Sequence, residues 1–121
     1  MAKSILFVDD SASMRQVVSM AIKEAGYNVE TAVDGKDGIG KAAATKFDAI
    51  VTDLNMPNMN GIEMIKEVKK LPLNKFAPIV MLTTEASDDM KQQGRVAGAK
   101  AWMVKPFKPE QLLSVLAKLV R

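Results

Sequence analysis

The chain has 121 residues, a length typical of one domain, and it contains neither cysteine nor histidine. These absences exclude a disulfide framework, thiolate chemistry, and any histidine base, histidine metal ligand or phosphohistidine carried by this chain. The net charge is +3, but the basic residues are dispersed and aromatic residues are few, so we expect no specific nucleic-acid binding.

No segment of the sequence predicts export or membrane insertion. Residues 1–10, MAKSILFVDD, lack the basic region, long apolar run and cleavage site of a signal peptide. No apolar stretch approaches the ~20 residues that span a bilayer. We therefore expect a cytoplasmic protein.

The first half of the chain predicts three strands, each followed by a helix. Apolar residues recur at helical spacing from Met14 to Ala25, and Gly26 then stands where a helix commonly ends. The elements predicted here are a strand at 3–8, a helix ending at 25, a strand at 28–33, a helix at 34–45, a strand at 48–52 and a helix centred on 62–68.

The second half predicts two further strand–helix pairs. These are a strand at 78–83, a helix at 88–97 interrupted by Gly94, a strand at 101–104 and a helix with Pro109 in its first turn. Five apolar strands that alternate with five helices are typical of a parallel sheet covered on both faces. We expect residues 1–121 to form a single doubly wound α/β domain.

Polar residues stand where four of these strands end: Asp9, Asp10, Asp53, Thr83, Thr84 and Lys105. In an open α/β sheet, ligands bind beyond the carboxyl ends of the strands. Three carboxylates placed together repel one another unless a cation intervenes, and oxygen ligands suit Mg²⁺. A lysine and a threonine hydroxyl beside them would stabilise the charge of a phosphoryl group.

Each of these residues has an ordinary structural explanation when it is taken alone. The pair Asp9–Asp10 could cap the next helix, Thr83 could be a common strand residue, and Lys105 could be a surface lysine. These separate explanations do not account for the occurrence of all these residues at the ends of the strands.

Four segments carry a resemblance to a known family: FVDDSASMR at 7–15, IVTDLNMPNMNG at 50–61, VMLTTE at 80–85 and KPF at 105–107. The chain resembles the receiver domain of bacterial two-component response regulators, most closely the single-domain chemotaxis regulators. The resemblance implies a flavodoxin-like fold with five parallel strands in the order 2-1-3-4-5.

The resemblance also implies a phosphoryl-transfer site. Asp53 would accept a phosphoryl group from a histidine kinase. Asp10, Asp53 and the backbone carbonyl of Asn55 would hold Mg²⁺, and Asp9 would act through water. Lys105 would contact the phosphoryl oxygens together with a threonine hydroxyl, and its peptide bond to Pro106 would be cis.

Further residues of the family pattern concern regulation. Thr83 would contact the phosphoryl group and, with Trp102, form the switch. Asn55 and Glu85 would tune dephosphorylation, and a phosphatase could assist it. The implied protein is a monomeric switch rather than an enzyme, whose surface of helix four, strand five and helix five binds a partner such as a flagellar motor switch protein.

Two residues depart from the family pattern. The switch aromatic is usually Tyr or Phe, and Trp102 has an indole that donates a hydrogen bond but cannot accept one. Thr84 stands where many members have Ala or Gly, and we expect it to crowd the path of the aromatic ring.

Three alternatives compete with this interpretation. GKDGIGKA at 35–42 fits a phosphate-binding loop, but Ala42 replaces the Ser or Thr that such loops use for Mg²⁺. An aspartate-nucleophile phosphatase of the haloacid dehalogenase type would need a second Asp at the position of Asn55. Within the receiver family, the chain could relay or sequester phosphate outside chemotaxis.

Overall fold

The fold is known from a computed structural model that describes residues 2–120. Met1 and Arg121, the two ends of the predicted domain, lie outside the described residues. The helices and strands, in chain order, are β1 Ser4–Val8, α1 Ala12–Glu24, β2 Asn28–Ala32, α2 Gly35–Ala44, β3 Ala49–Thr52, α3 Gly61–Val68, β4 Ile79–Thr83, α4 Asp88–Ala97, β5 Ala99–Val104 and α5 Pro109–Leu119.

All strand pairs are parallel, and the five strands lie in the order β2-β1-β3-β4-β5. This order confirms the predicted flavodoxin-like fold. Because the order reverses between β1 and β3, a crevice opens beyond their carboxyl ends. The predicted site residues of β1 and β3 therefore flank this point.

The central strands and the edge strands differ in burial. β3 and β4 are fully buried, as the apolar runs predicted. β2 instead alternates, with Asn28 and Glu30 exposed, because an edge strand packs on one neighbour only. β5 begins at Ala99, two residues before the predicted start, directly after the helix-ending Gly98.

Alternate residues of the central strands face two separate hydrophobic clusters. Leu6 and Val8 pack on the side of α2, α3 and α4, whereas Ile5 and Phe7 pack on the side of α1 and α5. The sheet is thus covered by helices on both faces. In the described residues, no helix has the length and apolar character needed to cross a bilayer.

Side chains at the helix starts satisfy the backbone N–H groups that helices leave unpaired. Ser11, Asp34, Asn60 and Ser87 each accept a hydrogen bond from the backbone N–H three residues later. Residues 35–42, considered above as a phosphate-binding loop, instead form the first part of α2. That alternative is therefore wrong.

Candidate functional site

Three carboxylates converge at the carboxyl edge of the sheet. Asp9 and Asp10 follow β1, Asp53 follows β3, and each offers an oxygen within 4.8 Å of the others. Asp9 and Asp53 are buried, whereas Asp10 is exposed. The strand ends thus bring together the three acidic residues that the sequence predicted.

Lys105 connects two of these carboxylates. Its Nζ lies 3.2 Å from Oδ2 of Asp9 and 3.3 Å from Oδ2 of Asp53. Its side chain is only 16% exposed, so the ammonium group has little competing water. Lys105 follows β5, its backbone N–H donates to the carbonyl of Thr83, and its peptide bond to Pro106 is cis.

The carboxylate of Asp53 is held by contacts at both of its oxygens. Oδ1 accepts a hydrogen bond of 2.7 Å from the backbone N–H of Leu54, and Oδ2 faces Lys105. Burial raises the pKa of Asp53, Lys105 opposes this shift, and the negative charge of Asp9 adds to it. Asp53 is therefore an oriented carboxylate with a raised proton affinity.

A close backbone approach lets α3 start beside Asp53. A Cβ atom at Gly61 would lie 2.4 Å from the carbonyl oxygen of Asp53, so only glycine fits there without movement. The backbone N–H of Gly61 also donates to the carbonyl of Leu54 at 2.8 Å. The predicted helix was centred on 62–68 and gave Gly61 no role, although an Asn before the first apolar residue is a typical signal of a helix start.

Asp9 is positioned by the segment that follows it. The backbone N–H of Ser11 donates to Oδ1 of Asp9 at 2.9 Å, and the guanidinium of Arg15 donates to the carbonyl oxygen of Asp9 at 2.8 Å. No pattern in the sequence indicated a role for Arg15. Its distance of six residues from Asp9 fits no short-range motif, so the contact emerges only in the folded chain.

The remaining predicted residues lie at or after the carboxyl ends of β3 and β4. Thr83 is completely buried, and its Oγ1 accepts from the backbone N–H of Glu85 at 3.3 Å. Hydrogen bonds from the backbone and side chain of Ser87 lower the pKa of Glu85. The side chain of Asn55 is exposed.

Trp102 is half-buried on β5 and reaches the loop after β4. Its indole N–H donates to the carbonyl of Glu85 at 2.8 Å. A Cβ atom at Gly94 would lie 2.6 Å from the indole ring, so the glycine in α4 provides the space for the tryptophan. Thr84 is exposed and lines a groove with Met14 and Phe107, between α1 and the segment before α5.

Comparisons with known proteins agree on one family. The model described as "Response regulator receiver domain" matches residues 5–117. The chain is 38% identical to the chemotaxis protein CheY of Thermotoga maritima over 120 residues, which cover 98% of each chain.

Solved structures give the same result. The chemotaxis protein CheY4 of Vibrio cholerae is 49% identical, with a TM-score of 0.94 over 98% of this chain and 99% of that one. The receiver domain of the sensor histidine kinase PA1611 from Pseudomonas aeruginosa is 26% identical, with a TM-score of 0.91 over 99% and 98% of the two chains. That structure is described with a magnesium ion coordinated in the active-site cleft.

Proposed function

Because the chain belongs to the response regulator receiver domain family, we propose that residues 1–121 form one receiver domain that accepts a phosphoryl group on Asp53. The observation that carries this proposal is the position of Asp53: a buried carboxylate at the end of the central strand β3, beside Lys105 and within reach of two further carboxylates. The phosphoryl donor would be the phosphohistidine of a histidine kinase, since this chain has no histidine of its own.

The proposed transfer is a displacement at phosphorus. A carboxylate oxygen of Asp53 forms the new O–P bond while the N–P bond of the phosphohistidine breaks and the imidazole leaves with the electron pair. The ammonium group of Lys105, 3.3 Å from Oδ2 of Asp53, is placed to stabilise negative charge on the phosphoryl oxygens. Thr83 is the last residue of β4, and its hydroxyl would contact the same oxygens.

The carboxylate cluster fits a hard divalent cation. Asp9, Asp10 and Asp53 supply only oxygen ligands, and Mg²⁺ is commonly bound by one or two carboxylates together with water and phosphate. We propose Mg²⁺ as the cofactor, held by Asp10, Asp53 and the backbone carbonyl of Asn55, with Asp9 acting through water. Bound Mg²⁺ would neutralise carboxylate charge and the charge of the transferred group.

We place the output of the switch on α4, β5 and α5. Trp102 supports this proposal, because it joins β5 to α4 through Gly94 and to the loop after β4 through the carbonyl of Glu85. Phosphorylation that moves this loop would act directly on the indole. Asn55 and Glu85, which flank the cluster, would set how fast water or a phosphatase removes the phosphoryl group.

The similarity to two chemotaxis proteins supports a role in chemotaxis. We propose that the chain acts there as a cytoplasmic monomer with a flagellar motor switch protein as partner. Retention of such a partner by the beryllofluoride-activated chain, and not by the Asp53→Asn variant, tests this role. Retention of kinase-side proteins alone would instead favour a phosphate relay outside chemotaxis.

Labelling with acetyl phosphate and Mg²⁺ tests the phosphoacceptor. We expect one acid-stable, hydroxylamine-sensitive phosphoryl group per chain, absent from Asp53→Asn and unchanged in Asp89→Asn, an exposed aspartate of α4. Full labelling of Asp53→Asn at another residue would overturn the assignment. Steady turnover of a generic phosphomonoester would favour the haloacid dehalogenase type of phosphatase, in which Asn55 would have to be an acid.

A further inference from the structure

The amino edge of the sheet, opposite the carboxylates, carries an exposed apolar surface. Phe76 is 88% exposed and Leu73 is 44% exposed. They border a groove of about 270 Å³ between the segment before β3 and the segment before β4, whose other walls include Phe47, Pro72 and Pro78. This surface, called here the Phe76 groove, has no part in the proposed phosphoryl transfer.

The chain around the Phe76 groove is held firmly. Asn74, which lies between Leu73 and Phe76 in the chain, is completely buried, and its side chain makes three hydrogen bonds to the end of α2 and the segment between α2 and β3. Oδ1 accepts from the backbone N–H of Phe47 at 2.8 Å, and Nδ2 donates to the carbonyls of Ala42 and Thr45 at 2.6 and 2.8 Å. An exposed aromatic on a fixed segment loses little entropy on binding, which is the property of an interface anchor.

Two lysines at the rim, Lys46 and Lys75, outnumber the one acidic residue of the lining, Asp48. Lys46 and Lys75 are exposed, and within residues 2–120 neither forms an ion pair. The Nζ of Lys75 lies 5.6 Å from the centre of the Phe76 ring, which places the charge at the aromatic anchor. The one acidic residue of the lining, Asp48, already accepts a hydrogen bond of 2.7 Å from the backbone N–H of Ser4.

We propose that the Phe76 groove binds an acidic peptide segment of a partner protein, with one aromatic or branched apolar side chain of that segment inserted between Leu73 and Phe76. The two rim lysines would pair with acidic residues on either side of the inserted side chain. A concave site suits one protruding side chain better than it suits a flat bilayer. Because this surface lies at the edge opposite Asp53, binding should be independent of phosphorylation.

The probe for this proposal is the capped peptide Glu-Asp-Phe-Glu-Asp, titrated into ¹⁵N-labelled full-length protein. We expect amide shifts confined to residues 46–48 and 73–77, with the same affinity in the presence and absence of beryllofluoride and Mg²⁺. The Phe76→Ser variant should bind at least about fivefold more weakly. Joint Lys46→Glu and Lys75→Glu changes should weaken binding about threefold at low salt, whereas Lys36→Glu on α2 should not.

Four results would overturn the proposal. The first is the absence of shifts at these residues, and the second is equal binding of a peptide with Gly for Phe or with Lys for its acidic residues. The third is stronger Phe76-dependent binding to phosphatidylglycerol vesicles, which would assign the surface to a membrane. The fourth is Phe76-dependent self-association, which would assign it to a second copy of the chain. Since Phe76 is exposed, its substitution should leave the fold and the labelling of Asp53 unchanged.

Discussion

Both edges of the sheet bury polar side chains, but the two sets of side chains differ in how well their hydrogen bonds and charges are paired. At the amino edge, Asn74 is fully buried and its amide makes hydrogen bonds to three backbone groups. At the carboxyl edge, Asp9 and Asp53 are buried and share a single ammonium group, that of Lys105. The buried amide at the amino edge has its hydrogen-bond partners within the protein. The buried carboxylates at the carboxyl edge outnumber the one ammonium group between them.

The contacts at the amino edge stabilise the fold, whereas the carboxylates at the proposed functional site reduce its stability. A buried amide whose partners are all present stabilises the fold, because removing it would strand the groups it satisfies. Two buried carboxylates with one cation between them cost stability unless a further cation binds. We therefore expect the removal of polar groups to have opposite effects on the free energy of unfolding at the two edges.

The largest change in the free energy of unfolding is expected from Asn74→Ala. The change leaves the N–H of Phe47 and the carbonyls of Ala42 and Thr45 without their partner, and each buried unsatisfied group costs about 1–3 kcal/mol. We expect the free energy of unfolding to fall by about 3–5 kcal/mol, as measured by urea denaturation. The exposed Asn28→Ala should change it by less than about 0.5 kcal/mol.

If Asn74→Ala lost no more stability than Asn28→Ala, the amide would not be what joins β3 and β4 at this edge. Asn74 would then not be what holds the chain around the Phe76 groove in place. In the same denaturation series, Phe76→Ser should leave the midpoint unchanged, because Phe76 is exposed.

The second largest change in the free energy of unfolding is expected from Asp53→Asn in the absence of metal. Asparagine leaves one carboxylate, Asp9, for the one ammonium of Lys105, so we expect the free energy of unfolding in EDTA to rise by about 1 kcal/mol. Asp89→Asn should instead lose a few tenths of a kcal/mol, because Asp89 lies in the favourable first turn of α4. A loss of stability in Asp53→Asn would show that the cluster is not under electrostatic strain.

The pH dependence of this gain has a defined sign. Burial and Asp9 raise the pKa of Asp53 despite Lys105, so the folded state binds the proton more tightly than the unfolded state. The wild-type chain therefore loses stability as the pH rises through the folded-state pKa, and Asp53→Asn lacks this loss. The gain should be full above the folded-state pKa of Asp53 and should shrink as the pH falls through it. Added Mg²⁺ should stabilise the wild type more than the variant.

The two edges also differ in how far the sequence predicted them. At the carboxyl edge, the strand pattern placed Asp9, Asp53 and Lys105 at the same edge of a parallel sheet, and the family resemblance supplied the strand order that brings them together. The apolar runs of β3 and β4 also predicted their burial, since a continuous apolar run of this length is typical of a strand buried on both faces.

At the amino edge no pattern in the sequence indicated the structure. PLNKF at 72–76 reads as an ordinary turn, and nothing in it indicates that Asn74 is buried while Phe76 is exposed. The partners of Asn74 lie up to 32 residues away and are backbone groups, which a sequence pattern cannot specify. The contact of Arg15 with the carbonyl of Asp9 was missed for the same reason.

A change of similar size in the free energy of unfolding is expected from a pair of glycine substitutions in two helices. Gly40→Ala in α2 meets nothing within 4 Å, so it should stabilise by about 0.5–1 kcal/mol through helix propensity. Gly94→Ala in α4 gains the same propensity but pushes its Cβ against the indole of Trp102, and overpacking costs about 1–3 kcal/mol. A gain of stability in both variants would mean that Trp102 yields freely and does not fix α4 to β5.

The smallest effect concerns the link between the carboxylates and Trp102, the single tryptophan of the chain. The indole is held by the carbonyl of Glu85, two residues after Thr83, so movement of Thr83 towards a phosphoryl group should disturb it. We expect beryllofluoride with Mg²⁺ to change the acrylamide quenching of Trp102 partially, as a shift between two populated states. Identical quenching in both states would separate Trp102 from the carboxylate edge. Gly94→Ala should alter this response, because Gly94 borders the ring, whereas Thr84→Ala should not, because Thr84 lines the groove beside Met14 and Phe107. A larger response in Thr84→Ala would instead support crowding by Thr84, the expectation drawn from the sequence.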